Sequence, residues 1–267
     1  MKTQTTRSAR RKKQTAPSVA IQLFPIVGLP EFRPGDDLAS AIVHAARKNQ
    51  FTFAHNDVLV VAQKIISKSE GRLVALAEIP PSSAASALAV RLKKDPRLVE
   101  VILRESRRIV RNDPVLIVET HHGFVCANAG VDQSNVPGKG VVSLLPRDPD
   151  ASASALAAAM SKLTHKRIAV VISDTFGRPW RLGLTNVAIG AAGVPAILDL
   201  RGRRDQHNKP LHATILATAD ELAAAAGLAM PKSAAIPVVI IRGYRYRPTK
   251  NSAATQIIRP AEEDLFR

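Results

Sequence analysis

Two rhythms organise the apolar residues of this chain: short uninterrupted β-branched runs, and longer stretches with helical spacing. The densest run, Ile168-Ala169-Val170-Val171-Ile172, predicts a strand buried on both faces. It stops at Ser173-Asp174-Thr175 and gives way to a loop carrying Gly177, Arg178, Pro179, Trp180, Arg181 and Gly183. Weaker runs predict strands over 57–66, 115–119, 124–127, 141–145, 196–200 and 237–242, after a short apolar run at 21–27. Helical spacing follows Asp36 or Asp37, either of which suits an N-cap, with Leu38, Ile42 and Ala45/Ala46 on the apolar face. It recurs over 82–92, over 96–111, over 151–163 behind Asp150 and over 221–228 behind Asp220. In the stretch 96–111, Leu98, Val101/Ile102 and Ile109 oppose Arg104, Arg107, Arg108 and Arg111, a stripe that suits either a solvated face or a phosphate-rich ligand. Strands and helices mix without strict alternation, so the fold class expected is α+β. No internal repeat is visible.

Composition narrows this picture. At 267 residues and 46% hydrophobic, the chain has ample length for a sizeable core. No apolar run reaches membrane-spanning length, and no signal-peptide apolar region opens the chain. The single Cys126 excludes an intrachain disulfide framework, points to the cytoplasm, and sits in a strand-like apolar run that suits a buried inert thiol. Net charge is +16, from 38 basic and 22 acidic residues, which favours anionic partners of any kind. Residues 1–18 hold much basic charge and no acid, and are expected to form a disordered tail. With aromatics at 4%, a stacking platform for single-stranded nucleic acid is not expected.

Three polar clusters stand at the ends of apolar runs: Gln63-Lys64 with Ser67-Lys68; Asp132 with Asn135; and Asp174-Thr175 with Arg178 and Arg181. An acid leaving a buried strand needs a partner. That partner is either a simple arginine ion pair or a divalent cation with a phosphorylated ligand, since hard cations take carboxylate and hydroxyl oxygens while arginines and lysines hold phosphoryl groups. No phosphate-binding P-loop, dinucleotide glycine motif or H-E-x-x-H zinc motif occurs. Adjacent His121-His122 predict a turn with two ordinary histidines, because neighbours on a strand face opposite ways. The residues alone lead to a metal-dependent enzyme acting on a phosphorylated ligand.

Several stretches taken together resemble the coenzyme F420 γ-glutamyl ligase family. They are GLPEFRPGDDL (28–38), VVAQKIISKSEGRLV (60–74), GFVCANAGVDQSNV (123–136), LLPRDPDASA (144–153), SDTFGRPWRLGLTNVAIG (173–190) and VVIIRG (238–243). The resemblance implies a GTP-dependent ligase requiring Mg²⁺ or Mn²⁺ and assisted by K⁺. Its acceptor would be coenzyme F420-0 and its second substrate L-glutamate. It also implies an α+β, two-lobed protomer in an intertwined homodimer, with a catalytic domain over 19–248 and a C-terminal extension over 249–267. Carried over by position, Asp132, Asp174 and Thr175 fall on metal ligands, and Leu29, Pro30, Glu31, Phe32, Lys68 and Asn135 on nucleotide contacts, with Gln63 and Ser67 nearby. Arg178 and Arg181 are added here as clamps on the transferring phosphate.

The segment 230–237 departs from the family pattern, lacking the glycine and acidic or polar residues expected of relatives. Some relatives also carry a flavin-dependent domain after the ligase part, and with the last residue at Arg267 that activity is expected to be absent. Two other readings remain: a diverged ligase joining another amino acid or acceptor, and a basic nucleic-acid-binding protein using the tail and the arginine stripe. The last would bind with steep salt dependence and would survive loss of Asp174.

Overall fold

A computed structural model of the chain describes residues 20–264. The tail expected over residues 1–18 lies outside the described residues. The first part contains β1 (Gln22–Pro25), α1 (Leu38–Lys48), β2 (Val58–Ala62) and α2 (Gln63–Ser69). The middle contains β3 (Leu73–Ala75), α3 (Ser83–Leu92), α4 (Pro96–Arg104), β4 (Ser106–Asn112), β5 (Leu116–Thr120), β6 (Val125–Ala127) and β7 (Val141–Ser143). The last part contains α5 (Pro149–Thr164), β8 (Ala169–Arg178), β9 (Arg181–Ala192), β10 (Leu198–Asp199), β11 (Ile215–Leu216), α6 (Thr218–Gly227) and β12 (Val238–Arg242). This is the α+β class expected.

A five-stranded sheet in the order β1-β12-β2-β8-β9 forms the centre. Only β2 and β8 run parallel; the other neighbours are antiparallel. The β-branched runs are continuous because both sheet faces are covered. Leu59, Val61, Val170, Ile172 and Ile240 pack on one face with Ile42, Leu156 and Met160, from α1 and α5. Val58, Val60, Val171, Val239 and Ile241 pack on the other with Leu222, Ala223 and Ala226 of α6. Gly190 permits the close approach of α5: a Cβ there would lie 2.3 Å from the Pro149 carbonyl oxygen. A third core, containing Leu76, Ala85, Val99, Ile102, Leu116, Val118, Val142 and Leu144, joins α3 and α4 to the smaller sheets.

Four expectations are corrected. The strand expected over 57–66 stops at Ala62 and turns into α2, where the one-turn spacing lets Ser67 Oγ donate to Gln63 Oε1 at 2.7 Å. The helix expected over 96–111 ends at Arg104; β-branched Ile109 and Val110 belong to β4, which pairs with β5. The arginine stripe therefore never forms one helical face. Arg104 pairs with Glu100, and Arg107 and Arg108 pair with the buried Glu119. Asp148, rather than Asp150, caps α5, and Asp220 lies inside the first turn of α6 rather than at its cap. Asp150 and Asp220 instead accept from the Ala191 and Ala188 amides, each at 2.8 Å, and fasten both helices to β9. Finally, β8 continues through Ser173-Asp174-Thr175 to Arg178, so the acids lie within a strand.

Other expectations hold. Asp37 caps α1 by accepting from Ser40 N at 3.0 Å. His121 and His122 lie in the turn between β5 and β6 and bind backbone carbonyls. Cys126 is buried, and burial pushes its thiol up to about 12. Apart from these expectations, the described part of the 249–267 segment lies on the core, with Ala254 N donating to Asp150 Oδ1 at 2.7 Å and Ser252 Oγ bonding to the Val194 carbonyl. Among the described residues no helix is long and apolar enough to cross a membrane.

Candidate active site

Strand register decides where the chemistry gathers. Parallel pairing sets Ala62 of β2 beside Ser173 of β8, so the start of α2 emerges next to Asp174. The carboxyl ends of parallel strands are where loops and helix starts converge on ligands. Antiparallel β12 enters at this same end, with the Pro237 carbonyl accepting from Ala62 N at 2.8 Å. There too β1 hands over to Val27–Phe32, Ile26 N bonding to the Val238 carbonyl at 2.9 Å. Across the hairpin, Asn186 of β9 stands opposite Thr175.

These segments enclose a cavity of about 410 Å³. Of the nominated residues, Leu29, Pro30, Glu31, Phe32, Gln63, Lys68, Asp132, Asn135, Asp174 and Thr175 all line it within one protomer. Ser67 stands one layer behind, on Gln63. Arg178 and Arg181 do not border the cavity; they face each other at the exposed end of the β8–β9 hairpin. The clamp expected of them is therefore corrected for a single protomer: at about 3.3 Å per strand residue, Arg178 lies roughly 13 Å along β8 from Asp174. Lys64, Ser134, Ser173, Asn186, Lys232 and Ser233 complete the polar lining. Lys64 stood in a cluster visible in the sequence and Lys232 in the departing 230–237 segment, whereas Asn186 gave no signal because strand pairing alone sets it opposite Thr175.

Asp132 reaches the cavity from the loop between β6 and β7, where its backbone bridges to Ser143. Lys64 Nζ lies 2.7 Å from Asp132 Oδ2 and donates at 2.6 Å to Ser134 Oγ, while Ser134 N donates at 2.7 Å to Asp132 Oδ1. Burial disfavours the charged Asp132, yet the Lys64 and Ser134 hydrogen bonds prevail and hold its pKa below the ordinary carboxylate value. Asp174 behaves oppositely. Burial pushes it up to about 6, the Thr175 amide opposes that rise, the Asp132 charge adds to it, and Lys64 and Lys232 act against it. The buried Lys68 ammonium meets the largely exposed Glu31 carboxylate at the other side of the cavity.

Two buried polar atoms on this lining, Gln63 Nε2 and Ser173 Oγ, have no hydrogen-bond partner. Orphan groups of this kind are costly unless a ligand or water meets them. No group of three or more His, Cys, Asp or Glu side chains able to hold a metal occurs among the described residues. Two carboxylates with a neighbouring hydroxyl still suit Mg²⁺ or Mn²⁺, because such ions keep waters and take phosphate oxygens as further ligands. Like charges on Asp132 and Asp174, with lysine ammonium groups facing them, are the arrangement a cation and a polyanion together would neutralise.

Fold and cavity thus define an α+β protein with a cleft lined by three lysines and three carboxylates. The model of the F420-0:Gamma-glutamyl ligase family matches residues 27–243, and the chain belongs to that family. It is 44% identical to the coenzyme F420:L-glutamate ligase of Methanothermobacter thermautotrophicus, over 93% of this chain and 100% of that protein. Similar are the proteins of the same name from Methanopyrus kandleri, at 45% over 94% of this chain and 98% of the relative, and Methanocaldococcus jannaschii, at 43% over 90% and 94%.

Proposed function

We propose that this protein is a ligase that joins L-glutamate, through an amide bond, to the lactyl carboxylate of coenzyme F420-0, driven by GTP. The observation that carries this reading is the meeting of Asp132, Asp174 and Thr175 with Lys64 and Lys68 around one cavity, in a chain matched along its length by ligases of that name.

An amine cannot displace oxide from a carboxylate. Attack of the lactyl carboxylate on the γ-phosphorus of GTP would break the bond to GDP and leave an acyl phosphate. The glutamate amine, having lost a proton, would then attack the acyl carbon and expel inorganic phosphate. Repetition at the γ-carboxylate would extend a γ-glutamyl tail. Asp132, Asp174 and Thr175 would hold Mg²⁺ or Mn²⁺, which when bound supplies charge neutralisation for the phosphoryl oxygens. Lys68, freed from Glu31, offers its ammonium to a phosphate, and Lys64 can shift from Asp132 to the same ligand. Leu29, Pro30 and Phe32 give the cavity an apolar side that suits a base, while Gln63 Nε2 and Asn135 offer polar contacts. Positioning and electrostatics account for most of the catalysis in such a site. Assistance by K⁺, a two-lobed protomer in an intertwined homodimer, and a cytoplasmic setting belong to the same proposal.

The 230–237 segment supports a second reading. It walls the cavity and brings Lys232, rather than an acid, towards Asp174, which suits a ligase with a changed amino acid or acceptor. A nucleic-acid role draws no support from the arginine stripe, most of which is spent on Glu100 and Glu119.

The test is incubation with the deazaflavin acceptor, L-glutamate, GTP and Mn²⁺, read by mass spectrometry. The acceptor is expected to gain one or more glutamyl units. No gain with GTP overturns the reading, and a gain with another amino acid alone selects the second.

A further inference from the structure

A second cavity, of about 540 Å³, lies on the far side of the Asp132–Ser134 segment, which borders both. Its lining includes Lys93, Lys94, Leu98, Asn128 and Gln133, none of which the mechanism above uses. Lys94 is half-buried, and its ammonium donates to Asn128 Oδ1 at 2.7 Å. No carboxylate among the described residues pairs with it. Both acids on this lining are spent elsewhere: Asp132 on Lys64 and Ser134, and Asp95 on the Arg97 guanidinium, which both its oxygens bind at 3.0 and 2.7 Å while Oδ1 caps α4. Burial without a counter-charge pulls the Lys94 pKa below its ordinary value.

A half-buried ammonium lining a cavity, one amide oxygen its sole partner among the described residues, is an arrangement that a carboxylate would complete. Lys93, the left-handed C-cap of α3, lines the same cavity. Asn128, also in a left-handed conformation at φ 54°, holds Lys94 towards the loop that carries Asp132. A ligand anchored here would therefore sit one loop's thickness from the phosphate cleft.

Resting on the ligase reading above, we propose that this second cavity is the subsite for a carboxylate of the acidic substrate, with Lys94 as its anchor and Lys93 and Gln133 beside it. Both substrates other than the nucleotide carry carboxylates, so the source is either the incoming L-glutamate or the acidic arm of the acceptor. Occupancy would place the reacting group beside the Asp132–Ser134 loop, where the acyl phosphate forms.

The test is the Lys94→Gln variant, which keeps a donor for Asn128 while removing the charge, with Lys93→Gln as a second variant on the same wall. Steady-state kinetics would give KM separately for L-glutamate, acceptor and GTP. A rise of about 10–100-fold in KM for one acidic substrate, with KM for GTP unchanged, is expected and identifies which one docks here. Unchanged KM for both acidic substrates, or an equal rise for all three, overturns the subsite. Calorimetric titration of L-glutamate and acceptor into wild type and variant separates this from the ligase reading. Weaker binding in the variant supports the subsite even if no ligation is found, and equal binding, or none to the wild type, overturns it.

Discussion

One strand carries both the residues that build the cleft and the residues that miss it. On β8, Asp174 and Thr175 lie beneath the start of α2 and the 230–237 wall, while Arg178, four residues on, stands at the tip of the hairpin with Arg181. Around that tip Trp180 is 80% exposed and Leu182 wholly so. Local sequence makes both regions look functional: each combines charge with a break in an apolar run. Only pairing separates them. Asp174 meets Lys64, Lys232 and Asp132 because parallel β2, antiparallel β12 and the β6–β7 loop end at its level. At the level of Arg178 the sheet has narrowed to two strands. A polar group becomes part of a site when several segments close over it, and a strand offers that closure along only part of its length.

The largest expected effect breaks the cleft side of this comparison. Asp174→Ala and Asp132→Ala should each lower GTP-dependent glutamate addition by on the order of 10³-fold, with an unchanged circular dichroism spectrum. Next comes the opposite wall. Lys68→Met should raise KM for GTP by about 10–100-fold, the equivalent of a hydrogen bond to a charged group, as read by initial rates at varied GTP. Smaller, and of opposite sign, is the stability of the ligand-free protein. Asp174 binds its proton more tightly folded than unfolded, so its contribution to stability declines as pH rises from about 4 to about 6 and stays unfavourable above. Asp174→Asn removes that penalty and should stabilise the protein at pH 8 by about 1–2 kcal/mol in urea unfolding, an opposition of stability and function common at active sites. Least affected should be Arg178→Ala and Arg181→Ala, which should change kcat/KM by less than about fivefold, as exposed charges outside the cleft do. A loss of 10³-fold there would mean that the hairpin tip reaches the cleft of a second copy.

Much of the fold was legible from periodicity, since runs such as 168–172 and 237–242 are long, β-branched and buried on both faces. Boundaries failed where one apolar run spans two elements: Val61-Ala62-Gln63-Lys64-Ile65-Ile66 reads as unbroken strand, although Gln63 begins a helix. The stretch 96–111 failed likewise, because Val101, Ile102 and Ile109 fit one helical face even though Ile109 belongs to a strand. Asp150 and Asp220 were legible as acids near helix starts, while their actual role, holding the amides of β9, depends on packing that no local pattern encodes. In the cleft, the carboxylates and Lys68 were legible because charged residues at the ends of apolar runs are costly without partners. Lys232 was visible only as part of the 230–237 segment, and Asn186 was not, since it takes the β8–β9 pairing to set it opposite Thr175.

Uptake of Mn²⁺ with a non-hydrolysable GTP analogue, followed by electron paramagnetic resonance in wild type, Asp132→Ala and Asp174→Ala, tests most directly whether two distant acids grip one ion. Tight uptake by the wild type, lost on removing either acid alone, is the predicted result. Undiminished uptake by both variants would contradict it.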